Sequence, residues 1–193
     1  EAGGPVAGYL AYRGLAPRAV FLTHPHADHY GGYAEVAALC RVETIYLPEC
    51  WPRLTVPADI ASSLQSAQAR GSRVVYLKAG DEVRLSERVV ARVLYPPEGA
   101  NPANLNDASL ALRIEYGAGS ALLAGDLQTL PPLTLDLDCD VMKASHHGED
   151  RAGGELLLRA ASPSALVISV GRNGYGHPAE ALLARAERLG AQI

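Results

Sequence analysis

The sequence predicts an α/β domain, and three observations carry that prediction. Short runs enriched in Val, Leu, Ile and Tyr alternate with helical patterns along most of the chain. Glycine, proline and asparagine clusters separate the runs, with no repeat of fixed period. A hydrophobic content of 48 % over 193 residues is enough to fill the core of one domain.

Taken in order, residues 20–23 read as a short strand, and residues 34–40 as a helix entered through Gly31 and Gly32. Residues 45–47 are strand-like, and residues 58–70 form a polar-faced helix stopped by Gly71, a residue type suited to the left-handed helix cap. Four β-type runs follow at 73–77, 89–95, 110–116 and 121–124, with turn residues between them. The remainder reads as strand 141–144, helix 154–161, strand 165–170 and helix 179–189. Loops rich in proline and asparagine at 95–107 and in glycine at 171–176 elaborate this one domain, since neither is long enough to separate two.

Composition excludes several function classes. No stretch approaches the roughly 18 consecutive apolar residues of a membrane span, and the N-terminus lacks the basic start and apolar run of a signal peptide, so a soluble chain is expected. Three cysteines, Cys40, Cys50 and Cys139, are an odd number without C-x-x-C spacing, which indicates neither a disulfide framework nor a thiolate zinc site. Cys139 stands between Asp138 and Asp140, whose charges would raise its pKa and blunt it as a nucleophile. A formal charge of −4 provides no basic surface for a plain DNA-binding module, although bound divalent cations would place positive charge where a phosphate must sit. Trp51, in PECWPRL, reads as a packed anchor. The tyrosines are dispersed and form no evident stacking row.

The chemistry is concentrated in THPHADHYGG, residues 23–32. Its spacing is H-x-H-x-D-H, and imidazole nitrogen with carboxylate oxygen suits zinc or manganese. His24 and His26 lie two apart, so an extended segment projects both the same way, and Asp28 and His29 follow after the chain turns. One pair can hold one cation and the other pair a second. A shared carboxylate is then needed, and SALLAGDLQ places Asp126 just past an apolar run and a glycine. DVMKASHHG adds His146 and His147, and NGYGHP adds His177, so all six histidines fall in three short segments that each follow a β-type run.

Together these motifs resemble the metallo-β-lactamase superfamily and, within it, the extracytoplasmic hydrolase domain of the ComEC family of competence DNA-uptake proteins. THPHADHYGG carries the superfamily likeness. NDASLALRIEYGAGSALLAGDLQ, DVMKASHHG and SVGRNGYGHP point to the ComEC-like branch, and the likeness covers nearly the whole chain. It implies an αββα sandwich with two divalent metal ions, Zn or Mn, in a groove along one edge. His24 and His26 look like ligands of one metal, Asp28 and His29 of the other, Asp126 like the bridge and His146 like a further ligand. His147 and His177 are then candidates for proton transfer or phosphate contact, with Lys143 placed to stabilise phosphate charge.

Many superfamily members supply a third histidine to the first metal, whereas here no histidine lies between His29 and His146. Asn106 and Asp107 occupy the corresponding segment, so that site is expected to be weaker or completed by water. EAGGPVAGYLAYRGL resembles the tail of the family's D-x-G-G segment with Glu1 in the aspartate's place. The expectation is one hydrolase domain over residues 1–193 that lacks the first strands of its first sheet and a final strand.

Two cations sharing a carboxylate would lower the pKa of bound water toward neutrality and clamp both oxygens of an in-line displacement. The leading expectation is therefore a metal-dependent phosphodiesterase acting on DNA, as a single strand, beside the membrane channel domain of the same parent chain and with no small-molecule organic cofactor. Hydrolysis of another phosphodiester, ester, thioester or lactone is the alternative among enzymes, since fold does not fix substrate. A domain that retains metal without turnover is the alternative of a different class.

Overall fold

A computed structural model describes residues 3–129, 131, 135–150 and 152–193; Glu1 lies outside them. Parallel pairing of β1 (Ala19–Phe21), β2 (Thr44–Pro48) and β3 (Arg73–Leu77) builds one sheet in that order. The second sheet runs β4 (Glu82–Arg84), β5 (Val89–Tyr95), β6 (Ala111–Tyr116), β7 (Gly119–Leu123), β8 (Val141–Lys143) and β9 (Ala165–Val167). Its first three pairings are antiparallel and its last two parallel. Helices α1 (Gly3–Arg13), α2 (Ala27–Tyr30), α3 (Tyr33–Leu39) and α4 (Ala58–Ala69) accompany the first sheet, and α5 (Ala152–Ala161) and α6 (Glu180–Arg188) the second.

The period-2 alternation of the strands sorts their side chains into three cores. Ile45 and Leu47 on β2 pack with Val36, Ile60 and Leu64 of α3 and α4. Tyr46, between them, joins Phe21, Val75, Val93 and Leu112 between the sheets. On the far side, Ala111, Leu122, Met142 and Leu166 meet Leu157, Leu158, Leu182 and Ala186 of α5 and α6. Three cores separated by two sheets make four layers, helix, sheet, sheet, helix, as the family resemblance implies. Trp51 is buried within the first core.

Several details differ from the sequence expectation. The helix α1 has no strong sequence signal because Gly3, Gly4 and Gly8 weaken it; packing against α3 holds it in place. The strand β4 is three residues long and places charged Glu82 and Arg84 on a sheet edge, where short, charged strands resist further pairing. The run 165–170 is strand only to Val167, and the rest enters a loop that reaches the candidate site. Cys139 is pushed up to about 11, first by burial and only then by Asp138 and Asp140.

The register aligns Leu123 with Lys143 and Lys143 with Val167. These three parallel strands therefore end level, and the loops that leave them emerge at one edge of the sandwich. The loop after β1 joins them there through the hydrogen bond from Leu110 N to Thr23 O, 2.9 Å.

Candidate metal centre

The first loop is extended at His26 (φ −93°, ψ 142°) and then enters the single helical turn of α2. This change of conformation explains why His24 and His26 face one way while Asp28 and His29 lie on the turn. Gly31 has ordinary helical angles, so its need is for space: a Cβ there would stand 2.5 Å from Ala27 O. The turn is anchored from behind by Tyr30, whose hydroxyl is 3.1 Å from each carboxylate oxygen of Asp59 at the start of α4.

Side-chain donors converge in two groups. His24, His26 and Asp126 form one, and Asp28, His29, Asp126 and His147 form the other, with the donor atoms in each group within 4.8 Å of one another. Asp126 belongs to both. His24 Nε2 lies 3.0 Å from His26 Nδ1 and 3.8 Å from Asp126 Oδ2. In the second group, Asp126 Oδ2 is 3.0 Å from His29 Nε2 and 3.6 Å from His147 Nε2, while Asp28 Oδ2 is 3.3 Å from His147 Nε2.

The residues fit divalent cations. Asp126 Oδ1, His29 Nε2 and His147 Nε2 are buried without a hydrogen-bond partner among the described residues. Each such orphan costs about 1–3 kcal/mol unless something else engages it, and three together in an imidazole and carboxylate cluster suit a zinc- or manganese-type ion.

Electrostatics keep His24 and Asp126 in the forms that can bind a cation. Burial, reinforced by His29, lowers the His24 pKa from 6.5 to about 3, so the ring is neutral at physiological pH. For Asp126, burial pushes the carboxyl up, but the approach of His29 and the charges of His29, His24 and Lys143 outweigh it and hold the group below the usual carboxylate range. Lys143 is itself lowered by burial, against the pull of Asp126 and Asp28. Its Nζ lies 3.1 Å from Ala144 O and 3.4 Å from Gly125 O, beneath the Asp126 loop.

The sequence candidates separate into those that converge and those that flank. His147 enters the second donor group; His146 does not, although its Nε2 is 3.9 Å from Asp126 Oδ2. His146 Nδ1 is instead held 2.5 Å from Glu149 Oε2 and 3.1 Å from Gln128 Nε2. The difference is set by the backbone, since His146 (φ 45°, ψ 50°) and His147 (φ 56°, ψ 19°) both occupy the left-handed region that favours glycine. Such strain costs about 1 kcal/mol or more per residue and persists only where surrounding bonds impose it. Here His146 N donates to Gly125 O at 3.2 Å, and Ser145 Oγ donates to Leu127 O at 2.5 Å. His177 lies outside both groups, its ring 5.7 Å from that of His146. Asp107 braces the loop after β7, accepting from Gln128 N at 3.0 Å and Thr129 Oγ1 at 2.9 Å. Asn106 Oδ1 is buried without a hydrogen-bond partner among the described residues.

Sequence reasoning missed Ser109. Its side chain is fully buried, its Oγ accepts from Asp126 N at 2.9 Å and lies 3.2 Å from His24 Nδ1. Thr23 Oγ1 adds contacts of 3.1 Å to His24 Nδ1 and 3.2 Å to His29 Nδ1. Partners on Nδ1 turn Nε2 of each ring toward the cluster, the usual way of orienting a ligating histidine. The N-D-x-S-L run held the only signal, and a serine in such a run is too common to single out.

Comparison with known proteins places the fold in a family. ComE operon protein 3 of Bacillus subtilis (strain 168) is 31% identical over 181 residues, which cover 91% of this chain and 23% of that protein. The chain thus spans about a quarter of that relative's length. Among solved structures, CmlA, a diiron β-hydroxylase from Streptomyces venezuelae, superposes with a TM-score of 0.60 at 14% identity, over 90% of this chain and 42% of that one. Igni18, a metallo hydrolase from Ignicoccus hospitalis KIN4/I, does so with a TM-score of 0.59 at 13% identity, over 94% and 77%. At these identities the two structures show a common fold. Residues 2–172, which include both donor groups, match the metallo-beta-lactamase superfamily, and the chain belongs to it.

Proposed function

We propose that the domain is a metal-dependent phosphodiesterase that cuts DNA, taking a single strand at the groove beside the cluster, in a DNA-uptake setting of the ComEC kind. The observation that carries this reading is the carboxylate of Asp126, shared by two groups of donors. In the proposal His24, His26 and Asp126 hold one divalent cation, and Asp28, His29, Asp126 and His147 hold the other. Such a pair, when bound, supplies water ionisation near neutral pH and a clamp on the attacking and leaving oxygens of an in-line displacement.

The chain's own residues do the rest. Ser109 and Thr23 fix the imidazole orientations. Lys143 supports the carbonyl of Gly125 and places positive charge behind Asp126. His177 stands at the groove, where its ring is placed to pass a proton to the leaving alkoxide. The uptake setting rests on the ComEC-like motifs together with the 31% identity to ComE operon protein 3. No described helix is long and apolar enough to cross a membrane, so any membrane channel would be a separate part of the same parent chain.

The test is hydrolysis of single- and double-stranded DNA, a model phosphodiester, a thioester and a lactone by the purified domain with Mn²⁺ or Zn²⁺. We expect metal-dependent DNA cleavage that Asp126→Asn abolishes while the circular dichroism spectrum is retained. Turnover confined to thioester or lactone would assign another substrate, and bound metal without turnover of any substrate would make this a non-catalytic domain.

A further inference from the structure

The loop that leaves β9 is tied at both ends to the turn that carries His147. His147 Nδ1 lies 2.8 Å from Ser169 O, and Ala179 N donates to Gly148 O at 2.9 Å. Gly148 has φ +90°, and a Cβ there would stand 2.8 Å from Pro178 Cβ, so the two segments are in close contact. Between these ties Asn173 braces the loop from within. Its Nδ2 donates to Gly171 O at 3.0 Å and His177 O at 2.9 Å, and its Oδ1 accepts from Tyr175 N at 3.0 Å and His177 N at 3.1 Å.

This braced loop forms a wall of a groove of about 430 Å³ whose lining includes Asp28 and His147 of the donor cluster together with Arg172, Tyr175 and His177. Tyr175 is 85% exposed, and its ring lies within 21° of parallel to the His177 ring, 6.0 Å away. Singly exposed aromatics are ordinary on protein surfaces. This one is held by a self-satisfied loop, faces the groove that holds candidate ligands, and is accompanied by an exposed arginine. A flat, accessible π-face with a guanidinium beside it matches what a single strand presents, an unstacked base and a phosphate.

We propose that residues 169–177 form a recognition element for single-stranded nucleic acid, in which Tyr175 stacks on one nucleobase beside the bond to be cut and Arg172 contacts a backbone phosphate. The inference rests on the phosphodiesterase reading and deepens it. Duplex DNA keeps its bases stacked and paired and offers Tyr175 no free face, so the element selects for an unpaired strand. Asn173 acts only by holding the loop, which keeps the ordering cost of binding low.

The experiment compares a single-stranded oligonucleotide with versions in which one residue at a time is abasic, using the wild-type domain, Tyr175→Ala, Tyr175→Phe and Arg172→Ala with Mn²⁺. One abasic position is expected to lower the wild-type kcat/KM roughly 5- to 160-fold, the range a single stacked base contributes. Tyr175→Ala should show a comparable loss on the intact strand and no further loss at that position, whereas Tyr175→Phe should keep the wild-type sensitivity. Arg172→Ala should lower the slope of log affinity against log salt by about 0.7, one phosphate contact on a single strand. Equal abasic sensitivity in wild type and Tyr175→Ala would overturn the proposal while leaving the phosphodiesterase intact. If no oligonucleotide is cut, the phosphodiesterase reading falls, and fluorescence anisotropy of the same strands on the Asp126→Asn protein decides the inference separately. Tyr175-dependent binding there would sustain it, and binding indifferent to Tyr175, or none, would overturn it.

Discussion

Replacing Ser109 with alanine removes one hydroxyl that two parts of the candidate centre share. Its Oγ accepts the backbone N–H of Asp126 at 2.9 Å and lies 3.2 Å from His24 Nδ1. The surroundings leave little room for a substitute. Ser109 is fully buried, and the backbone at Gly125 approaches so closely that a Cβ there would be 2.8 Å from the same Oγ. The Asp126 N–H is then left buried and unsatisfied, at a cost of about 1–3 kcal/mol. His24 Nδ1 keeps only Thr23 Oγ1 at 3.1 Å, and loss of one such orienting partner typically lowers metal affinity about 10- to 100-fold. Urea unfolding of the chelator-treated protein measures the first effect, and calorimetric titration with Mn²⁺ or Zn²⁺ measures the second. We expect both losses in Ser109→Ala, with the affinity loss larger at the His24 site than at the His147 site. A variant within about 0.5 kcal/mol of wild type that binds both cations within two-fold would refute the role given to Ser109.

Two further outcomes follow from the same corner of the fold. Gly125 has φ +57°, and an added Cβ would meet Ser109 Oγ at 2.8 Å and Ser109 Cβ at 3.0 Å, so Gly125→Ala should cost about 2 kcal/mol or more; a melting temperature unchanged from wild type would contradict this. The pH dependence of the metal-free protein has a definite sign, because the folded His24 pKa of about 3 lies below its ordinary 6.5. Between those values the unfolded chain binds a proton that the folded chain does not, so stability falls as pH drops from about 6.5 toward 3, by up to about 1.4 kcal/mol per pH unit. Asp126, also held low, acts in the same direction but only below its ordinary range near 4, so denaturation between pH 4.5 and 6.5 isolates the histidine. His24→Gln should flatten that slope, and parallel slopes in the two proteins would show that another group carries it.

What the sequence made legible was local, and what it hid depended on partners far along the chain. A cation ligand must be one of a few residue types, and the candidates His24, His26, Asp28 and His29 sit within six positions, where one extended segment and one helical turn suffice to bring their donor atoms into two groups. That compactness is why the motif reads at all. The strands were legible for a related reason, since their apolar residues are local, but the layered sandwich came only from the family resemblance; the alternation of Ile45, Tyr46 and Leu47 between two cores shows how β2 takes its place in it. The helix α1 wrote none, since its glycines weaken the local signal and its packing surface on α3 lies some twenty residues away.

The choice between His146 and His147 shows where local reading ends. Adjacent histidines after a strand are chemically equivalent on paper, and an ordinary extended backbone would alternate their directions. Both instead take left-handed angles that neither side chain favours, and the bonds that enforce them come from two separate loops, through Gly125 O and Leu127 O of one and Ser169 O of the other. Two of those acceptors flank Asp126 and the third opens the loop that carries Tyr175. The strain is therefore shared by three neighbouring parts: Asp126, the candidate donor His147 and the wall of the groove. Relaxing the turn with His146→Gly removes the left-handed penalty at one position, along with the contacts to Glu149 and Gln128, without touching a member of either donor group, and should loosen the His147 site. Tighter binding of the second cation in His146→Gly, measured in the same calorimetric titration, would show that the strained turn opposes the centre and does not help to build it.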